Sequence, residues 1–288
     1  MMFRTVACVF AVAILILGPM VPASQAQPFD GDPLAFGRVL QPVPVRSVRV
    51  GAAGTRNINT PLSIFAETSP MRMAARSVGR LDVLYSSQGN KVRHCTAVVL
   101  DEDLVLTSDL CFPSEGGIVM ATLVMGFVDR DKPSAAQTFT VHHLPIEIDH
   151  DAGYALLQVL GDPSRRYGTA RLATRGVQDA QPLWMIGHPL AGQMRIAHRD
   201  CAATDPAMTE DGWLGHGCDS LPGASGAPLF DVSGPLAVAA LHRWGNGLAG
   251  NAIAVPIDRI IAASPRIARI ARKQAETCHP GPDDDCLP

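Results

Sequence analysis

An all-β protein of two barrels or sandwiches is the fold class this sequence predicts, and three observations predict it. From about Met71 onward, eleven short apolar runs alternate with turn residues, a spacing that suits many short strands and not a helical bundle. The chain holds 26 Gly and 23 Pro against only 5% aromatic residues, which favours turns over long helices. Its 288 residues, 47% of them hydrophobic, suffice to bury one large or two modest cores.

In chain order the predicted strands are Val78–Leu84, Thr96–Leu100, Leu104–Thr107, Ile118–Phe127, Thr138–Leu144 and Tyr154–Leu160. They continue with Pro182–Ile186, Met194–His198, Ala227–Phe230, Leu236–His242 and Ala252–Val255. Each is a short apolar run bounded by residues that favour turns. The last element differs. Pro256-Ile257-Asp258 opens a stretch in which Ile257, Ile260, Ile261, Ile267 and Ile270 describe an amphipathic helix, broken or kinked at Pro265. Its basic face is read either as solvated, with the apolar face packed on a barrel, or as a membrane-surface contact. No internal repeat of solenoid length is present.

Four segments follow from this pattern. Arg4 ahead of an apolar run from Val6 to Leu17, with small residues at Ser24-Gln25-Ala26, reads as a signal peptide over residues 1–26 cleaved after Ala26. Residues 27–70, rich in Pro, Gly and Arg and weakly periodic, read as an extended arm or a pro-segment. Residues 71–262 form the strand-rich domain, and 263–288 hold the end of the helix and an acidic tail. The implied location is secreted or periplasmic, with no membrane span once the signal is removed. Cys8 leaves with the signal, and the remaining six cysteines suit an oxidising compartment. They allow 15 pairings, among which sequence alone does not choose. A net charge of −3 argues against nucleic acid as a partner. No cofactor is expected, and no Cys and His spacing resembles a closed zinc site. In the tail, Asp283-Asp284-Asp285 reads as a solubilising cap, since calcium needs six or more converging oxygens.

The chemistry is concentrated in three motifs. Cys218-Asp219-Ser220-Leu221-Pro222-Gly223-Ala224-Ser225-Gly226-Ala227-Pro228 resembles the nucleophile loop of trypsin-like serine proteases, particularly the bacterial branch of the glutamyl endopeptidases. Cys95-Thr96-Ala97 followed by Thr107-Ser108-Asp109-Leu110-Cys111 resembles the segment that carries the catalytic histidine, and Gly153-Tyr154-Ala155-Leu156-Leu157 the one that carries the aspartate. The three occur in the family's order and together cover roughly residues 75 to 262. The resemblance implies a double β-barrel closed by a C-terminal helix. It also implies Ser225 at the nucleophile position, with an oxyanion hole from the N–H groups of Gly223 and Ser225. It pairs Cys95 with Cys111; Cys201 and Cys218 flank a hairpin before the serine loop, and Cys278 with Cys286 would close the tail.

Two of the three catalytic positions are altered. Leu110 stands in place of the histidine, and leucine has no atom that accepts a proton. Gly153 stands in place of the aspartate. Asp151 lies two residues earlier, about 6–7 Å along an extended strand, and is read as a substitute only if a bulge shortens the gap, otherwise as a turn residue beside His150. His94, next to Cys95, is the first candidate for a relocated base, and His150 the second. Ser220 and His242 correspond to residues that line the primary specificity pocket of glutamyl endopeptidases; on its own terms His242 reads equally as a buried structural histidine. The expected function is a non-catalytic protease homologue that binds a peptide or protein in the former cleft. The alternative is an active serine endopeptidase with a relocated base and a preference for acidic residues. Ligand identity and oligomeric state are not legible.

Overall fold

The computed structural model describes residues 29–39, 59–87, 89–112, 116–245 and 252–277. The expected signal peptide and the expected pairing of Cys278 with Cys286 lie outside the described residues. In chain order the strands are β1 Phe29–Gly31, β2 Asn59–Pro61, β3 Val78–Ser86, β4 Asn90–Val99, β5 Leu104–Ser108, β6 Gly117–Met125, β7 Gln137–Val141 and β8 Glu147–Asp149. They continue as β9 Tyr154–Gln158, β10 Leu183–Gly187, β11 Arg195–Ala197, β12 Ala203–Met208, β13 Leu214–His216, β14 Pro228–Asp231, β15 Ala237–Trp244 and β16 Ala252–Pro256. The helices are α1 Pro70–Ala75, α2 Ser164–Tyr167, α3 Ile257–Ala263 and α4 Pro265–Thr277.

Two antiparallel sheets curl into half-barrels. The first runs β7-β6-β3-β4-β5-β9-β8, with β1 added to β4, and the second β12-β13-β16-β15-β14-β10-β11-β2. Each curls back on itself: His142 N–H donates to the Gln158 carbonyl and Leu160 to that of Thr140, while Leu183 donates to the Cys201 carbonyl and Ala203 to that of Gln181. The period-2 alternation of a strand explains how one run serves two cores. Along β4, Cys95, Ala97 and Val99 face the interior of the first barrel, whereas Val98 joins the cluster between the barrels. In β9, Ala155 and Leu157 point inward while Tyr154 and Leu156 face the inter-barrel cluster. Leu183, Met185, Leu229 and Ala240 fill the second barrel.

The C-terminal stretch is two helices that meet at Ser264-Pro265, where proline suits the first position of a new helix. Ile257, Ile260, Ile267 and Ile270 enter the inter-barrel cluster, and Gln274 bonds Leu172 N–H and the Ala170 carbonyl. The helix is thus packed on the barrels through its apolar face. Among the described residues no helix is long and apolar enough to cross a membrane.

Both described ends of the segment over residues 27–70 are strands. In β1 Phe29 pairs with His94, Asp30 with Arg93 and Gly31 with Val92; in β2 Asn59 pairs with Ala197 and Thr60 with Ile196. Asp30 holds Arg93 through Nε at 2.8 Å and Nη2 at 3.2 Å and accepts from Tyr85 Oη at 3.1 Å. Farther on, Gly37 N–H donates to Asp82 Oδ2 and the Arg38 carbonyl accepts from Arg80 Nη2. A Cβ at Gly31 would come within 3.1 Å of His94 Nε2, so a side chain there would require the imidazole to give way by a few tenths of an ångström. An Asp30→Ala variant is expected to accelerate amide exchange at Phe29–Gly31 and the facing part of β4 while leaving the β3–β6 pairing protected. Uniform acceleration in both places would contradict this anchoring.

Candidate functional site

Ser225 sits in a turn that needs two left-handed glycines. Gly223 has φ +95° and Gly226 φ +83°, and a Cβ at Gly226 would collide with Thr107 Oγ1 and the Thr96 carbonyl. The first barrel holds this turn through one residue. Thr96 donates its N–H to the Ser225 carbonyl at 2.9 Å and its hydroxyl to the Gly223 carbonyl at 3.1 Å, and it accepts from His188 N–H at 3.0 Å. The Cys95–Cys111 disulfide, with its Cα atoms 6.0 Å apart, ties β4 to the end of β5 beside the turn. The second disulfide joins Cys201 to Cys218 across the β12–β13 hairpin that leads into the loop. Among the described residues, neither the Gly223 nor the Ser225 N–H donates to another protein atom.

The Ser225 hydroxyl does not meet a base. Its side chain belongs to a residue only 1% exposed, and Oγ donates to the Arg243 carbonyl at 3.1 Å. Leu110, half-buried, follows Asp109 in a short 3-10 turn capped by the Ser108 hydroxyl. Gly153 has φ +81°, and a Cβ there would lie 2.9 Å from Val255 Cγ2, 3.0 Å from Trp213 Cζ3 and 3.2 Å from Arg243 Nε. Space that a carboxylate on residue 153 would need is therefore occupied by an indole and a guanidinium.

That guanidinium belongs to an ion pair. Arg243 Nε and Nη2 hold Asp109 Oδ1 and Oδ2 at 3.0 and 2.9 Å. Asp109 is 1% exposed and also accepts from Ser108 Oγ, with His150 Nδ1 at 3.2 Å from Oδ2. The Trp213 ring lies between two cations, 4.7 Å from the Arg243 guanidinium carbon and 4.1 Å from that of Arg259.

The other residues singled out in the sequence fall in three places. His94 is buried on β4, where Nδ1 lies 2.6 Å from Asp82 Oδ1 and the ring stacks on Phe29. Burial pushes the Asp82 carboxyl up, but the Arg80 charge and the His94 and Arg80 hydrogen bonds outweigh it and hold it below its ordinary value. No hydrogen bond joins His94 to Ser225 among the described residues. Asp151 is exposed in the Asp149–Gly153 turn, its N–H bonded to Asp149 Oδ1 and its carbonyl to Arg259. Ser220 donates to the Gly245 carbonyl at 2.7 Å.

His242 lies on β15, fully buried, with Nδ1 3.0 Å from His216 Nε2. Cys218 N–H donates to His216 Nδ1, which leaves the proton of that ring on Nε2 for donation to His242 Nδ1. The His242 proton is then on Nε2, a buried donor without a partner among the described residues. Burial lowers the His242 pKa to about 3, and burial together with His242 lowers that of His216 well below the ordinary value. Among the described residues no three metal-ligating side chains converge. Asp109, Arg243, His216 and Trp213 went unmarked in the sequence; the one available signal was an acidic residue directly before Leu110.

Residues 95–237 match the family model described as trypsin-like peptidase domain. Over that stretch the chain is similar to trypsin-like peptidases. Its fold resembles the crystal structure of Rv3671c protease in an inactive form, with 16% identity and a TM-score of 0.52 over 73% of this chain and 97% of that one. A thermostable serine protease AL20 from an extremophilic microorganism aligns with 16% identity and a TM-score of 0.49, over 64% of this chain and 92% of that chain. No curated protein sequence matches significantly.

The buried pair His216 and His242 ties the stability of this fold to pH. Because His242 has a folded pKa near 3, the unfolded chain takes up a proton that the folded chain refuses as pH drops through about 6.5. Stability present at neutral pH is therefore lost on acidification, by roughly 3 kcal/mol for this group between pH 7 and pH 4. In denaturant titrations His242→Gln is expected to lose less stability than wild type over that interval. Equal losses would contradict a neutral, buried His242.

Proposed function

We propose that this exported trypsin-like homologue is a non-catalytic protein that binds an extended peptide or protein segment in the former protease cleft. The observation that carries the reading is the bond from Ser225 Oγ to the Arg243 carbonyl, with the Arg243 side chain locked on Asp109. A serine hydroxyl becomes a nucleophile only when a base takes its proton, and here a main-chain oxygen accepts it instead. Loss of the triad histidine or serine in a serine protease of another fold cuts turnover by about 10⁶. The arm pairs with β4 at His94, two residues from the Thr96 that holds Ser225, so a bound segment takes a course other than the β4 edge that β1 occupies. Disulfides Cys95–Cys111 and Cys201–Cys218 fit an oxidising location outside the cytoplasm. The glycine turn at Ser225 and its two unused N–H groups supply acceptor-binding donors for a peptide carbonyl.

One observation favours the alternative. His150 Nδ1 on Asp109 is a carboxylate-oriented imidazole, one of the parts an active endopeptidase with a relocated base requires. The unpartnered His242 Nε2 donor would then favour an acidic side chain. Fluorophosphonate labelling of the purified, signal-free chain separates the two. Wild type is expected to label no more than Ser225→Ala, and His150→Ala is expected to change nothing. Labelling at Ser225 that disappears in His150→Ala would replace the pseudoprotease reading with the enzymatic one.

A further inference from the structure

On an otherwise acidic chain, two abutting cavities are lined by cations. The first, about 540 Å³, includes Arg72, Arg76, Lys132 and Arg166 against Glu67 and Asp129. The second, about 360 Å³, includes Arg76, Arg165 and Arg171 and no carboxylate. Arg76 and Tyr167 line both, so the pair forms one elongated site. Apolar surface from Phe65, Val128 and Met194 in the first, and Phe230 and Leu236 in the second, lies between the charges.

Two features separate this place from an ordinary basic surface. Among the described residues Arg76, Lys132, Arg165 and Arg166 have no carboxylate within ion-pair distance. The guanidiniums of Arg76 and Arg166 are nonetheless placed, Arg76 Nη2 by the Arg166 carbonyl at 2.9 Å and Arg166 by Gln137 Oε1 and the Tyr167 ring. The second feature is Tyr167. It is 8% exposed, yet its hydroxyl has no hydrogen-bond partner among the described residues. A Cβ at Gly126, which lines the first cavity with φ +72°, would come within 3.2 Å of that oxygen. A side chain there would crowd the hydroxyl, and a buried donor without a partner is costly unless a ligand supplies the acceptor.

We propose that these joined cavities are a binding site for an acidic peptide segment, with carboxylates spread over Arg76, Lys132, Arg165 and Arg166 and one of them accepting from Tyr167 Oη. An elongated arrangement of cations suits carboxylates spaced along a chain, and the apolar lining suits the peptide between them. Glu67 and Asp129 disfavour the continuous phosphate backbone of a nucleic acid. The site does not depend on Ser225 and stands whether or not the cleft is catalytic. The chain's own Asp283-Asp284-Asp285 has the same chemistry as a peptide from elsewhere.

Fluorescence anisotropy with a labelled hexa-aspartate peptide tests the site on the whole signal-free chain. Saturable, salt-sensitive binding is expected, weakened about tenfold or more by Arg76→Glu/Arg166→Glu and severalfold by Tyr167→Phe, which keeps the ring and removes only the donor. Lys91→Glu, at a residue that lines neither cavity, is expected to bind as wild type. An Asp283→Asn/Asp284→Asn/Asp285→Asn variant distinguishes the sources: unchanged affinity assigns the site to a peptide from elsewhere, and tighter binding assigns it to competition with the chain's own tail. The proposal is overturned by absence of saturable binding, by equal loss in Lys91→Glu, by indifference to Tyr167→Phe, or by tighter binding of a single-stranded oligonucleotide to the same residues.

Discussion

The contact between Asp109 and Arg243 organises the centre of this protein. It joins a residue at the end of β5 in the first barrel to one on β15 in the second, through two charge-assisted hydrogen bonds of 3.0 and 2.9 Å. Asp109 is almost wholly removed from water, so its charge must be matched by donors inside the fold, and Arg243, Ser108 and His150 are the groups that face it. Removing one member of a buried pair costs about 3–5 kcal/mol, because the other charge is left without compensation. Once this pair exists, much of the local structure follows. The Arg243 guanidinium lies against Trp213 and beside Gly153, and its carbonyl accepts from Ser225.

A proton relay and a buried ion pair make opposite demands on the same space. The relay needs a base whose proton affinity changes along the reaction, with a carboxylate free to orient it. Asp109 and Arg243 instead form an ion pair closed by two charge-assisted hydrogen bonds. Leu110 offers no atom that accepts a proton, and Gly153 leaves room for the Arg243 guanidinium. The glycine turn around Ser225 survives because it is held by different contacts, chiefly Thr96 and the adjoining disulfide.

The fold was legible because it is written in local order. Cys95-Thr96-Ala97, Thr107–Cys111, Tyr154–Leu157 and Gly223–Pro228 appear in the family's sequence, and alternation along β4, β5 and β9 shows which face is buried. Leu110 and Gly153 stood out against those motifs. Strands β1 and β2 were not legible, since three residues carry no period and their pairing depends on partners far along the chain. The hairpin between Cys201 and Cys218 was anticipated from its flanks, although β12 holds Asp205-Pro206 and lacks a strand-like apolar run. Arg243 could not be matched to Asp109 from sequence, because nothing local links residues on different barrels. His94 illustrates the reverse: adjacency to Cys95 placed it near Leu110, but strand pairing gives its imidazole to Asp82. Ser220 was read as a pocket residue, and His242 as either a pocket residue or a buried structural histidine; the chain of donors from Cys218 through His216 to His242 required the register of β13, β15 and β16.

The account stands on the ion pair between Asp109 and Arg243, and a double-mutant cycle measures it most directly. Unfolding free energies of wild type, Asp109→Asn, Arg243→Met and the double variant, taken by denaturant titration at one pH, give the coupling between the two side chains. The account predicts two strongly destabilised single variants and a double variant that recovers part of the loss, with a coupling of about 2–3 kcal/mol. Additive effects, within about 0.5 kcal/mol, would show that Asp109 and Arg243 act independently and would contradict the central claim.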